Sequence, residues 1–182
     1  MDEVEDATLV SECLRGRTEA FGRLVRKYQK PVFNAALKLV NDYDEAQDIA
    51  QTAFVKAFER LESYNPKYKF FSWMYRITMN TAIDYQAQTR RRAPVRASLE
   101  SPGGNPADIL EQKEVNGLVQ DAIGELSIDY RALIVLKHFT DLSMSELAYI
   151  LDIPVRTIKS RLYTARRRLA NLLRQKGVLG DD

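Results

Sequence analysis

Between residues 64 and 76 the chain reads YNPKYKFFSWMYR, in which aromatic side chains alternate with Lys67, Lys69 and Arg76 around a proline turn. Rings stack on splayed bases at roughly 1–3 kcal/mol each while cations hold the phosphates between them, so this mixture suits capture of single-stranded nucleic acid. Not every ring is free for that work: Trp73 and Ile77, one helical turn apart, are better explained as packing. A second group lies near the far end. On a helical wheel Arg156, Ser160, Tyr163, Thr164 and Arg167 share one side, flanked by Thr157, Lys159, Arg161, Arg166 and Arg168. So many donors on one face suit the major groove of a duplex. A recognition helix reads bases with its N-terminal part, which places Arg156, Lys159, Ser160 and Tyr163 near base edges and Arg161, Arg166 and Arg167 nearer phosphates. A third group, Asp42, Asp44, Glu45 and Asp48, has carboxylates enough for a metal, but its spacing suits helix capping and an exposed face better.

The elements that position these groups read as helices. A short helix over residues 6–15 should stop at Gly16, and Thr18 can cap the next, which carries Phe21, Leu24, Val25 and Tyr28 on one face. Pro31 should kink or interrupt it. A third helix should open near Asp44, with Gln47 reaching back in a capping box. Its apolar positions Ala46, Ile49, Ala50, Ala53, Phe54, Ala57 and Leu61 face a core, leaving Asp48, Gln51, Thr52, Lys56 and Glu59 outward. Periodicity alone makes that outer side a solvated face.

Downstream, Ser143 and Glu146 have the spacing of a capping box that opens a short helix bearing Leu147, Ile150 and Leu151. Asp152, Ile153 and Pro154 then turn the chain into a longer helix, whose inner side collects Val155, Ile158, Leu162, Ala165, Leu169 and Leu172. This is the spacing of a helix-turn-helix. Residues 93–106, APVRASLESPGGNP, concentrate helix breakers and read as a linker. The expected fold is therefore all-α: two small helical domains, 1–92 and 108–182, joined by a flexible linker at 93–107, the second a helix-turn-helix.

Composition narrows the function classes. The net charge of the 182-residue chain is only +2, yet Asp2, Glu3, Glu5, Asp6 and Glu12 crowd the start, while residues 154–180 hold eight Lys and Arg and no acid. One cysteine, Cys13, and one histidine, His138, exclude a disulfide framework and a typical structural zinc site. Cys13 suits a small apolar filler and His138 a packed or surface residue; neither metal nor cofactor is expected. No signal peptide or membrane-spanning run is visible, so a cytoplasmic protein without membrane insertion is expected.

The run ELSIDYRALIVLKHFTDLSMSELAYILDIPVRTIKSRLYTARRRL, residues 125–169, resembles the fourth domain of extracytoplasmic-function (ECF) bacterial sigma factors. DEAQDIAQTAFVKAFERL and FFSWMYRITMNTAIDY resemble their second domain. Two motif sets in the family's order, with a linker of suitable length between them, are far more specific than a helix-turn-helix alone. The resemblance implies a transcription initiation factor, not an enzyme. Its second domain would dock on the clamp helices of core RNA polymerase, in the beta-prime subunit, through Asp48, Gln51, Phe54 and Phe58, overturning the solvated-face reading. Thr52 stands where relatives often carry an acid.

By the same resemblance, the minus-ten element would be recognised as single-stranded DNA. A flipped base would sit in a pocket at Tyr64 and Asn80, and Lys67, Tyr68, Lys69 and Arg76 would line the path. The loop here differs from the shorter, glycine-containing version common in relatives. The minus-thirty-five element would be read as duplex by Arg156, Thr157, Lys159, Ser160, Arg161, Tyr163, Thr164 and Arg167. An anti-sigma factor is a further implied partner.

Energetics favour a partner as well. Opening about ten base pairs at roughly 1.4 kcal/mol per step costs well over 10 kcal/mol, close to the roughly 11–15 kcal/mol that a specific site supplies. No Walker-type phosphate loop is present to draw on ATP. Two other readings compete: a dimeric helix-turn-helix regulator that binds duplex unaided, and a helical nucleic-acid hydrolase using the carboxylates at 42–48.

Overall fold

In the computed structural model, residues 3–92, 108–140 and 142–180 are described. The expected linker at 93–107 and the acidic Asp2 lie outside them. Among the described residues there are eight α-helices, one 3-10 turn and no strands. The first four helices are α1 (Glu3–Leu14), α2 (Glu19–Val40), α3 (Tyr43–Glu59) and α4 (Phe70–Arg92), with the 3-10 turn Leu61–Ser63 between α3 and α4. The rest are α5 (Asp108–Glu125), α6 (Ile128–Phe139), α7 (Met144–Leu151) and α8 (Val155–Gln175). They form two helical domains, α1–α4 and α5–α8.

Three local expectations need correction. Thr18 does not cap α2: its backbone is already helical and its side chain makes no capping bond. Entry into α2 runs instead through turn bonds from Ala20 N–H to Arg17 O and from Phe21 N–H to Thr18 O. Pro31 does not interrupt α2, which continues through it to Val40. A proline inside a helix costs about 3 kcal/mol, but the helix buries Phe21, Leu24 and Tyr28 before it and Val32, Ala35, Ala36 and Leu39 after it. Burial on both sides of the proline outweighs that cost. Finally, α3 is capped by Asp42, not Asp44: Asp42 is extended and its carboxylate accepts from Glu45 N–H at 2.9 Å. Asp44 and Glu45 then occupy the first turn, where a negative charge suits the helix dipole.

Other local signals match the structure. Gly16, after α1, has φ +92°, a backbone that only glycine adopts without strain. Ser143 and Glu146 form the full capping box at α7. Asp152 ends α7 in the left-handed region, its N–H bonded to Ala148 O, and Pro154 precedes α8.

Two apolar clusters hold the fold together. One lies within the first domain: Leu9, Val10 and Cys13 of α1 pack with Phe21, Leu24 and Tyr28 of α2, Ala53 and Ala57 of α3, and Phe70, Trp73 and Met74 of α4. Burial pushes the Cys13 thiol up, which suits a filler. The other crosses between domains, joining Ala36, Leu39, Ile49, Tyr75 and Met79 to Leu126, Leu133, Leu136, Leu147, Ile150 and Ile158. The relative placement of the domains is thus set by a shared apolar core, with α4 against α7 and α2 against α6.

Candidate nucleic-acid interface

On α3, Ala46, Ile49, Ala50, Ala53 and Ala57 are buried, which turns Asp48 and Gln51 to solvent. Phe54 is half-buried and Phe58 is 45% exposed, its ring edge-on to Phe21 at 5.0 Å. Gln51 and Phe54 border a groove between α2 and α3, with Val25, Phe33, Tyr43 and Gln47. The four expected docking residues therefore share one face. Sequence reasoning missed Tyr43 and Val55, which are 64% and 57% exposed beside it. Their signal was apolar character outside the core-facing period.

The loop before α4 is built on its own hydrogen bonds. Asn65 Oδ1 accepts from Lys67 N–H at 3.0 Å, and Asn65 O accepts from Tyr68 N–H at 3.1 Å. The Tyr64 hydroxyl donates to Tyr68 O at 2.8 Å, and its half-buried ring leans on Phe70 and Trp73 at 5.7 and 5.5 Å. Tyr64 is thus the pedestal of the loop, and Lys67, Tyr68 and Lys69 stand out from it, exposed. Trp73 is buried and Ile77 half-buried against the same cluster, as their spacing implied.

Tyr64 and Asn80 each line a different hollow. Tyr64 lines a hollow with Pro66, Lys67, Tyr68 and Phe70. Exposed Asn80 lines another with Lys56, Arg60, Ile77, Thr81 and Asp84, where Lys56 donates to Thr81 Oγ1 at 3.3 Å. Lys56 of α3 is thus a cation lining the same hollow as Asn80 of α4, at a position that the sequence reading left on a solvated face.

Arg76 reaches out of the first domain. It donates to Tyr149 O at 3.2 Å, pairs with Asp152 at 3.1 Å and lies 5.1 Å from the centre of the Tyr149 ring. Tyr68 stacks on Tyr149 with ring centres 3.7 Å apart and 12° between planes, and Lys69 lies 3.8 Å from Glu146. Three of the six expected single-strand residues are therefore engaged by α7 and the turn that follows it.

On α8, Ile158, Leu162 and Ala165 are buried, while Arg156, Lys159, Ser160, Arg161, Tyr163, Arg166 and Arg167 are exposed. Thr157 and Thr164 are half-buried at the margins. Tyr163, 64% exposed, has the Arg167 guanidinium 5.9 Å from its ring centre. Ser160 and Thr164 hydroxyls donate to Thr157 O and Ser160 O, both at 3.1 Å. His138 is exposed; its pKa is lowered by desolvation and then by Arg166 and Lys137, which favours the neutral imidazole.

The sequence matches the sigma-70 region 2 model over residues 24–92 and the sigma-70 region 4 model over 116–169. The ECF RNA polymerase sigma-E factor of Escherichia coli K12 is 33% identical over 182 residues, covering 93% of this chain and 95% of that protein. The chain belongs to the ECF sigma factors. RNA polymerase sigma-H factor of Pseudomonas aeruginosa is 31% identical, with 95% of this chain and 96% of that one covered. SigW of Bacillus subtilis is 30% identical, with 91% and 95% covered. Among solved structures, CnrH in complex with the cytosolic domain of CnrY aligns with a TM-score of 0.68 at 26% identity, covering 96% of this chain and 97% of that one. RpoE from Bartonella quintana, solved with the anti-sigma factor NepR, shares the fold with a TM-score of 0.66 at 24% identity, covering 85% and 96%.

This ECF sigma factor is a transcription initiation factor with region 2 in its first helical domain and region 4 in its second. Among the described residues no helix is long and apolar enough to cross a membrane, and no group of three His, Cys, Asp or Glu gathers as a metal site. Asp42, one of the carboxylates weighed for a metal, is engaged in capping α3.

Proposed function

We propose that this sigma factor docks on the beta-prime clamp helices of core polymerase through Asp48, Gln51, Phe54 and Phe58. Residues 1–92 serve docking, minus-ten recognition and melting; 93–107 link; and 108–182 read the minus-thirty-five element. On the minus-ten strand, Tyr68 offers a ring for a base, Lys67, Lys69 and Arg76 offer cations for phosphates, Tyr64 shapes the loop and Asn80 offers an amide. On the duplex, Arg156, Lys159, Ser160 and Tyr163 meet base edges, with Thr157, Arg161, Thr164 and Arg167 at the margins and backbone.

The observation that carries this reading is the α8 face: its apolar side is buried while its donor-rich side is exposed from Arg156 to Arg167. Cytoplasm is the compartment that suits such a factor, and an anti-sigma factor is the regulator that suits it, as the sigma–anti-sigma complex among the structural neighbours suggests. The work calls for no cofactor and no enzymatic step by this chain. Run-off transcription with bacterial core polymerase on a promoter library tests it. Transcripts that depend on this protein and share upstream motifs are expected; none at all, with folded protein, overturns the reading. A dimeric regulator would instead bind duplex without polymerase, and gel filtration with and without core enzyme separates the two.

A further inference from the structure

We propose that α7 and the turn after it are an internal mimic of single-stranded DNA, occupying the minus-ten site of the free chain. The proposal rests on the reading of Tyr68, Lys69 and Arg76 as that site. A single strand offers such a site flat rings spaced between negative charges. The second domain presents the same pattern. The Tyr149 ring lies parallel to Tyr68 at 3.7 Å and 12°, the geometry of a stacked base. Arg76 sits 5.1 Å from the centre of the same ring. Carboxylates take the place of phosphates on either side: Asp152 pairs with Arg76 at 3.1 Å and Glu146 lies 3.8 Å from Lys69.

These three side chains come from one short stretch of backbone. Glu146 and Tyr149 are one turn apart on α7, and Asp152 ends the helix in a left-handed conformation that aims its carboxylate back at α4. One ring with an acid three residues to either side is a chain of alternating charge and π-surface. The Tyr149 carbonyl also accepts from Arg76 at 3.2 Å, as a sugar or phosphate oxygen would.

Closure is selective. The α8 face and the α3 docking face take no part in these contacts and remain exposed, while the Tyr68 ring, Lys69 and Arg76 are each engaged by α7 or the turn after it. The free chain can therefore meet core polymerase and duplex DNA, but a melted strand must displace Tyr149, Glu146 and Asp152 together. A tethered competitor acts at an effective concentration on the order of millimolar, so a mimic whose intrinsic dissociation constant is about a tenth of that suppresses strand binding about tenfold.

The test is fluorescence anisotropy of a fluorescein-labelled, mixed-sequence single strand of about twelve nucleotides, with the full chain at low salt and a mixed-sequence duplex as control. Tyr149→Leu with Asp152→Asn should bind the single strand about tenfold tighter than the unaltered chain, with duplex affinity unchanged. Asp152 is exposed and asparagine tolerates its left-handed backbone, so Asp152→Asn alone keeps the fold and should give a smaller gain in the same direction. Adding Tyr68→Ala to either variant should remove the gain. Equal single-strand affinity of the unaltered and Asp152-substituted chains, with Tyr68→Ala weakening both, overturns the mimic and leaves the minus-ten site standing. No effect of Tyr68→Ala in any background overturns the site itself, and the mimic with it.

Discussion

Arg131, on α6 of the second domain, donates a hydrogen bond to Leu39 O near the C-terminal end of α2 in the first. The same guanidinium also donates to Gly124 O and Leu126 O, at the end of α5. It is 5% exposed, and these bonds set its charge against carbonyls at two helix C-termini. Carbonyls there carry the negative end of the helix dipole, so an arginine is well placed. Arg131→Ala should lower stability by about 3 kcal/mol, because it leaves buried carbonyls without donors. Urea denaturation measures the loss, and limited proteolysis should show the domains parting before either unfolds.

Docking on polymerase should depend on side chains that the fold itself needs little. Gln51→Ala and Asp48→Ala alter exposed positions, so circular dichroism melting should be unchanged within about 0.5 kcal/mol. Co-elution with core enzyme should weaken for both. Phe58→Ala should weaken it too, at a stability cost of about 1 kcal/mol from the lost contact with Phe21. Undiminished co-elution of all three variants would remove α3 from the interface.

Lys159 and Arg167 should differ in kind. Lys159→Ala should cost about 1–3 kcal/mol at a cognate duplex and shift base preference. Arg167→Ala should lower affinity evenly across sequences and reduce the salt slope by about 1. Equal effects on every sequence from both changes would refute the division between base and phosphate contacts.

The α7 cap gives a dependence on pH. Burial raises the Glu146 carboxyl, but hydrogen bonds from the Ser143 backbone and hydroxyl, with the Lys69 charge, outweigh it, and the net pKa falls below the ordinary 4.5. A carboxylate held below its unfolded value adds stability above that value and loses it as the pH drops through the folded one. Glu146→Gln should therefore destabilise at pH near 7 by about 1 kcal/mol, and the gap should close in acid below the ordinary carboxylate range. Urea midpoints of the two proteins across that range decide it; a constant gap would show that ionisation plays no part.

What could be read from the chain alone was set by groups a few residues apart. The Ser143–Glu146 box, the turn at Asp152 to Pro154, and the division of α8 into an apolar side and a basic side each depend on one helical period, so type and spacing sufficed. Where two neighbours competed for the same local role, spacing was not enough: Asp42 rather than Asp44 caps α3 because the backbone at 42 is the extended one. Pro31 continues α2 because residues far along the chain bury both of its flanks, a stabilisation invisible to any local window. The meeting of Tyr68 with Tyr149, of Arg76 with Asp152 and of Arg131 with Leu39 joins residues 76 to 92 positions apart. Contacts at that separation arise only when two apolar faces find each other, so the fold as a whole, and no motif, decided which cations stand open to solvent and which are already held.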